Sequence, residues 1–130
     1  MRKLYLTFLA AVMALCASAV EHKMYSPDGK YEYEAAHGTV QRHYYRYLEG
    51  EETSTNSVAT IFAWTGALRK RAQLDGLTDL EAFADRLEAA CFRTLNEAVM
   101  TKDLVGLVEP GFEARAVDSW TFLDEIAKRM

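Results

Sequence analysis

A chain of 130 residues has room for one domain and no more. Half of the residues are hydrophobic and 12% are aromatic, enough for a packed core. A formal net charge of −4 excludes a general nucleic-acid binder.

The chain opens on Arg2 and Lys3, a short positive patch, followed by the apolar run Leu4 to Cys16. Ala17-Ser18-Ala19 then gives a small-residue cleavage site, so residues 1–19 have the layout of a secretory signal peptide with Val20 as the new terminus. The run falls short of the ~20 apolar residues that a membrane span needs. Leu15 is too bulky for the position before a lipidated cysteine. Cleavage would remove Cys16 and two positive charges, leaving Cys91 alone and no disulfide. On this reading the protein is exported or periplasmic. An unpaired cysteine fits a reducing compartment better, and the two signals conflict.

Ser26-Pro27-Asp28-Gly29 reads as a turn. Lys30 to Ala36 alternates Tyr and Glu, which predicts a short half-buried strand. Val40 to Leu48 predicts a short helix ending near Gly50, and Glu51 to Asn56 a polar loop that supplies capping side chains. Ser57 to Leu74 predicts a longer helix, with Val58, Ile61, Phe62, Thr65, Leu68 and Ala72 on one face and Asp75-Gly76 as its stop. Thr78-Asp79-Leu80-Glu81 has the form of a capping box, opening a helix that runs to about Val99. Its apolar face carries Leu80, Phe83, Leu87, Cys91 and Leu95, so Cys91 reads as a small buried hydrophobe rather than a reactive thiol. Thr101 is placed to cap a short helix from Lys102 to Val108, and Pro110-Gly111 breaks the chain. Ser119 to Lys128 predicts a last amphipathic helix with Trp120, Phe122, Leu123 and Ile126. The fold class is therefore mostly α with a short β element. There are no repeats and no low-complexity tract.

One stretch carries chemistry. His37-Gly38-Thr39-Val40-Gln41-Arg42-His43 follows the strand directly, and Asn56 comes soon after. Gly38 has no Cβ to keep a ligand from the backbone. Thr39 adds a hydroxyl, and successive N–H groups in such a turn can converge on an anion. Arg42 offers a planar fork suited to a phosphate. The residues alone leave two readings open: an anion site, or an ordinary strand-to-helix connection.

Other clusters read more plainly. His37 and His43 lack a carboxylate or thiol at ligand spacing, so they do not make a metal pair. Arg69-Lys70-Arg71 reads as a solvated helix face, as do Asp79, Glu81, Asp85 and Glu88. Phe62 and Trp64 read as core or subunit contact. Lys102 and Asp103 sit at a helix start, where the dipole favours Asp.

Longer stretches resemble a known family. "EAAHGTVQRHYYRYLEGEETSTNSVATIFAWTGALRKRA" (residues 34–72), "SPDGKYEYEAAHGT" before it and "MTKDL" (residues 100–104) after it resemble the C-terminal part of the homodimeric NADP-dependent isocitrate dehydrogenases. Several separated motifs stand in the family's order, from about Tyr25 to about Phe122, and the first twenty residues lie outside them. The resemblance implies that residues 20–130 are a partial C-terminal segment of the α/β isocitrate/isopropylmalate dehydrogenase fold. It implies that Gly38, Thr39, Val40, Gln41, Arg42 and His43 wrap the adenosine end of NADP. Asn56 would reach the adenine, and Arg42 and His43 the 2′-phosphate. Gln41 stands where many relatives carry Thr. The loop at Lys102 and Asp103 would lie near the adenine.

The family's isocitrate, its Mg²⁺ or Mn²⁺ and its catalytic tyrosine–lysine pair are held upstream of this region, and none of those motifs occurs here. The expectation is an enzyme segment that keeps the nucleotide-adenosine element without the chemistry, cytoplasmic as for the family if the head is not a working signal. Its helices at 57–74 and 78–99 would then present apolar faces to absent partners and favour self-association. The alternative is a small exported helical protein that reuses the scaffold as a binding module.

Overall fold

The structure is a computed structural model that describes residues 22–25, 27, 29–35, 37, 40–108 and 111–130. The signal-like head, Ser26, Asp28, Gly38, Thr39 and Pro110 lie outside the described residues.

Two short strands come first. β1 (His22–Tyr25) pairs antiparallel with β2 (Tyr31–Glu34), with His22 opposite Glu34 and Tyr25 opposite Tyr31. Gly29 takes φ of +80° in the turn between them, where a side chain would be strained. The expected half-buried strand is more open than its alternation suggested: Tyr33 is half-buried, and Tyr31, Glu32 and Glu34 are exposed.

Three helices of unequal standing follow. α1 (Gln41–Leu48) matches its expectation within one residue but buries none of its residues. α2 (Val58–Asp75) and α3 (Thr78–Asn96) form an antiparallel hairpin joined by Gly76 and Leu77. Gly76 is left-handed at φ 69°, and Leu77 N–H returns to Ala72 O at 2.9 Å, which closes the end of α2. This tight joint overrides the expected capping box. Leu77 occupies the cap position of α3, so Thr78 already lies inside the helix and no side chain caps it.

The seam between α2 and α3 is polar in its middle. Thr65 is fully buried and donates to Glu88 Oε1 at 2.5 Å. Arg69 reaches both Asp85 at 2.8 Å and Glu88 at 3.1 Å. Arg69 and Glu88 are therefore part of a half-buried interhelical clamp, not the solvated faces expected from their charge, whereas Asp85 keeps the exposed place expected of it. Lys70 departs from expectation too: its Nζ sits 4.1 Å from the centre of the Tyr31 ring, tying the ribbon to α2. Arg71 pairs along its own helix with Asp75.

The expected helix to Val99 ends three residues early. Ala98 has φ of 60°, and Val99–Thr101 becomes β3, fully buried and pairing parallel with β4 (Arg115–Val117). Burial of a β-branched and unbranched apolar run against a second strand wins over helical periodicity here. The short helix after it, α4 (Lys102–Val105), stops three residues before the expected Val108. Thr101 does not cap it. Its hydroxyl is buried without a hydrogen-bond partner among the described residues. The last helix, α5 (Ser119–Ala127), starts on a well-formed cap: Asp118 Oδ1 accepts from Trp120 N at 2.9 Å and from Thr121 N at 3.0 Å.

The core lies where α2, α3, β3, α4, β4 and α5 meet. Phe122, Met100, Val58, Cys91, Ala90 and Ile126 are at most 2% exposed, with Leu95, Val99, Leu104 and Val117 beside them. Cys91 is the buried hydrophobe that its helix position predicted. Phe62 packs on Phe92 with ring centres 5.5 Å apart, whereas Trp64 is 66% and Trp120 65% exposed.

Charged side chains lock α5 to the end of α3. Arg129 bridges Glu125 and Glu97, each at 2.6 Å, and Lys128 adds a bond to Glu125 at 3.1 Å. Arg129, then Lys128, hold the Glu125 carboxyl well below its usual range, at about 2. A carboxylate whose folded pKa is depressed adds stability above its unfolded pKa and loses it as pH falls through the folded value. The melting temperature should therefore drop as pH goes from about 4.5, where an unperturbed glutamate titrates, towards 2. Glu125→Gln should make that dependence shallower in a pH series of thermal melts. Parallel curves for the two proteins would remove Glu125 from the linkage.

Candidate functional site

The residues expected at a nucleotide come from two places, the turn ahead of α1 and the loop ahead of α2. β2 packs along α2 and delivers the chain to the turn. There His37 N–H bonds to Ala35 O at 2.8 Å, and His37 Nε2 lies 3.2 Å from Thr60 Oγ1. Thr60 is in the first turn of α2, so the turn is moored to that end of the helix. Gly38 and Thr39, which follow, lie outside the described residues. Val40 O then accepts from His43 N at 2.9 Å and Tyr44 N at 3.2 Å, which starts α1. Val40, Gln41 and Arg42 are exposed and His43 is half-buried. The Arg42 guanidinium is thus open to a ligand.

Asn56 is held much more firmly. Its side-chain Oδ1 accepts from Val58 N at 2.9 Å, which caps α2, and its backbone N–H bonds to Asp103 Oδ2 at 2.9 Å. The polar loop therefore does supply a cap, as its composition suggested. Neighbouring residues tie the loop down further. Ser54 Oγ takes the Lys102 N–H at 2.8 Å and gives its own proton to Val117 O at 2.5 Å. Thr55 N–H bonds to Ser119 Oγ at 3.0 Å, and Ser119 N–H to Thr53 O at 2.9 Å. Lys102 Nζ pairs with Glu52 at 2.6 Å, an exposed contact of small worth.

The structure thus brings His37, Asn56 and Asp103 to one end of α2. Arg42 and His43 start the adjacent short helix, and no hydrogen bond or ion pair joins them to the Asn56 loop among the described residues. The sequence reading missed the roles of Ser54, Ser119 and Asp103. Asp103 read as a dipole residue in a loop that the resemblance puts near the adenine, and nothing in its spacing marks a partner so far back in the chain.

A cleft of about 300 Å³ opens at the far end of α1. Tyr47, Glu51, Glu52, Thr53, Asp118 and Trp120 line it. Neither Arg42 nor His43 is among the residues that line it. Among the described residues no group of three or more His, Cys, Asp or Glu is placed to hold a metal ion. No helix among them is long and apolar enough to cross a membrane.

Comparison with known proteins agrees with the motifs from Tyr25 onward, and the matched stretch also reaches into the head that the motifs left out. The family model for isocitrate/isopropylmalate dehydrogenase matches residues 6–126. The chain is 49% identical over 107 residues to the mitochondrial NADP isocitrate dehydrogenase of Saccharomyces cerevisiae, covering 81% of this chain and 25% of that protein. It is 48% identical over 107 residues to the corresponding protein of Candida tropicalis, with the same coverage. With the mitochondrial NADP isocitrate dehydrogenase of Homo sapiens it shares 54% identity over 83 residues, 63% of this chain and 18% of that protein. The chain thus spans a quarter or less of the length of these relatives.

Ser54 is the tightest knot of the loop, and its removal is testable. Ser54→Ala leaves the Lys102 N–H and the Val117 carbonyl without their side-chain partner. It should cost about 1–3 kcal/mol in urea unfolding. An unchanged midpoint would show that water replaces the hydroxyl without loss.

Proposed function

The chain belongs to the isocitrate/isopropylmalate dehydrogenase family, and from that membership we propose that it forms the NADP-adenosine-binding portion of an NADP-dependent isocitrate dehydrogenase. The whole enzyme would oxidise and decarboxylate isocitrate to 2-oxoglutarate. The observation that carries this reading is the meeting of the His37 turn and the doubly held Asn56 at the start of α2. Supporting it, the relatives that share this stretch are named as NADP isocitrate dehydrogenases. None of the relatives named above is a small exported module, and that alternative is not carried further.

The residues present suit the adenosine end. Arg42 is exposed and permanently charged, and it stands beside His43 at the start of a helix. Both would face the 2′-phosphate, with Gly38, Thr39, Val40 and Gln41 against the ribose and diphosphate and Asn56 against the adenine. When bound, NADP supplies the hydride acceptor, and these residues only hold it. The divalent Mg²⁺ or Mn²⁺ of the family does not fit the described residues, which bring no donor cluster together. We assign it no ligand here. Isocitrate and a homodimeric partner belong to the same proposal for the whole enzyme, not to contacts of this chain.

Two outcomes test the reading. The 130-residue chain by itself should form no NADPH from isocitrate, NADP and Mn²⁺, followed at the NADPH absorbance band. Turnover above buffer would mean that the chain holds catalytic groups of its own. The second test grafts residues 22–130 into a full-length relative. There Arg42→Ala should weaken NADP roughly ten- to hundredfold, the worth of about 1.5–3 kcal/mol for a charge-assisted hydrogen bond, and leave NAD nearly unchanged. Equal losses for both nucleotides would make Arg42 structural. No loss for either would take the turn out of the site.

A further inference from the structure

We propose that Asp103 is a positioning residue for the adenosine end of the site: it fixes the Asn56 backbone so that the Asn56 amide presents its NH₂ group to a ring nitrogen of a purine. The proposal rests on the nucleotide reading above and gives that site a residue and a hydrogen-bond sense.

The sense follows from the cap. Val58 N–H can only donate, so the Asn56 amide atom 2.9 Å from it must be the oxygen. The oxygen is thereby committed to the helix. The nitrogen, on the other branch of the same carbon, is what the side chain turns away from the helix backbone. A purine meeting it must accept, and the unprotonated ring nitrogens of adenine do so.

The position follows from Asp103. Its Oδ2 takes the Asn56 N–H at 2.9 Å and its Oδ1 takes the Leu104 N–H at 3.1 Å. One carboxylate thus spans the two segments, and both bonds are charge-assisted. Asn56 is pinned on its backbone by Asp103 and on its side chain by Val58, so its amide enters a ligand contact with little freedom left to lose. Asp103 itself is exposed. Its removal leaves the Ser54, Ser119 and Lys102 bonds of the loop in place. It can therefore set affinity without carrying the fold.

Calorimetric titration of the full chain with adenosine 2′,5′-bisphosphate tests this, with thermal melts alongside. Asp103→Ala should bind about three- to tenfold more weakly, with a melting temperature lowered no more than that of Ser54→Ala. Asp103→Asn, which keeps an acceptor oxygen, should recover most of the loss. Asn56→Asp keeps the capping oxygen and replaces NH₂ by a second oxygen. It should melt as the wild type does and lose at least about tenfold in affinity. Wild-type affinity in Asp103→Ala would overturn the positioning role while leaving the nucleotide site standing. A fall in melting temperature shared by both Asp103 variants, with equal affinity losses, would overturn it in favour of a structural role. Failure of the wild-type chain to bind the bisphosphate would overturn the nucleotide reading, and the positioning role with it.

Discussion

The arrangement of this molecule depends on the backbone of residues 51–57, which is half-buried from Thr53 onward yet belongs to no helix or strand. Backbone N–H and C=O groups in such a place need partners. Here the partners are side chains and termini of other elements: Asp103 and Ser119 reach in, and Ser54 reaches out to the ends of β3 and β4. A single irregular loop thereby fixes where α2, α4 and α5 begin. Remove its polar side chains and those three helix starts lose their common reference.

α2 carries that reference to the candidate site residues. Its first turn is held from the loop by Asn56 and touched from the ribbon by His37. Its middle is clamped to α3 through Thr65, Glu88 and Arg69, a satisfied polar group inside an otherwise apolar seam. The clamp fixes the rotation of α2 about its axis, because Thr65 and Arg69 are one turn apart on the same face. Rotation set at the seam is transmitted rigidly to Thr60 and Asn56. Packing at the seam thus helps set how the candidate site residues stand.

Much of this was legible in the sequence where the signal is local and periodic. The bounds of α2 and α5, the Gly76 stop and the burial of Cys91 follow from apolar spacing and turn residues. Strands β3 and β4 were not legible. Each has three residues, too few for alternation, and each exists only because the other lies beside it. The same holds for charge. Arg69 and Glu88 look like solvated surface until α2 and α3 are folded together, and nothing in either helix names its partner. Of the site, His37, Arg42 and Asn56 were marked by residue type and by resemblance. Ser54 was not, and for Asp103 only its loop was, since the task of both is to satisfy a backbone distant in sequence.

The two halves of the candidate site therefore differ in preorganisation. Asn56 is set by the folded core through two hydrogen bonds. Arg42 and His43 stand on α1, eight residues long and burying none of them. A helix shorter than ~12 residues gains too little from its own hydrogen bonds to hold itself, and depends on tertiary packing. Tyr44, Tyr45, Tyr47 and Leu48 are each more than half exposed, so that packing is not supplied by the described residues. A ligand that uses Arg42 must then bear part of the cost of ordering α1, and that cost subtracts from the gain of the phosphate contact. The adenine side carries no such charge against it. Under the proposed nucleotide reading, the base side would be preset by the fold of this segment, whereas the 2′-phosphate side would depend on how α1 is ordered.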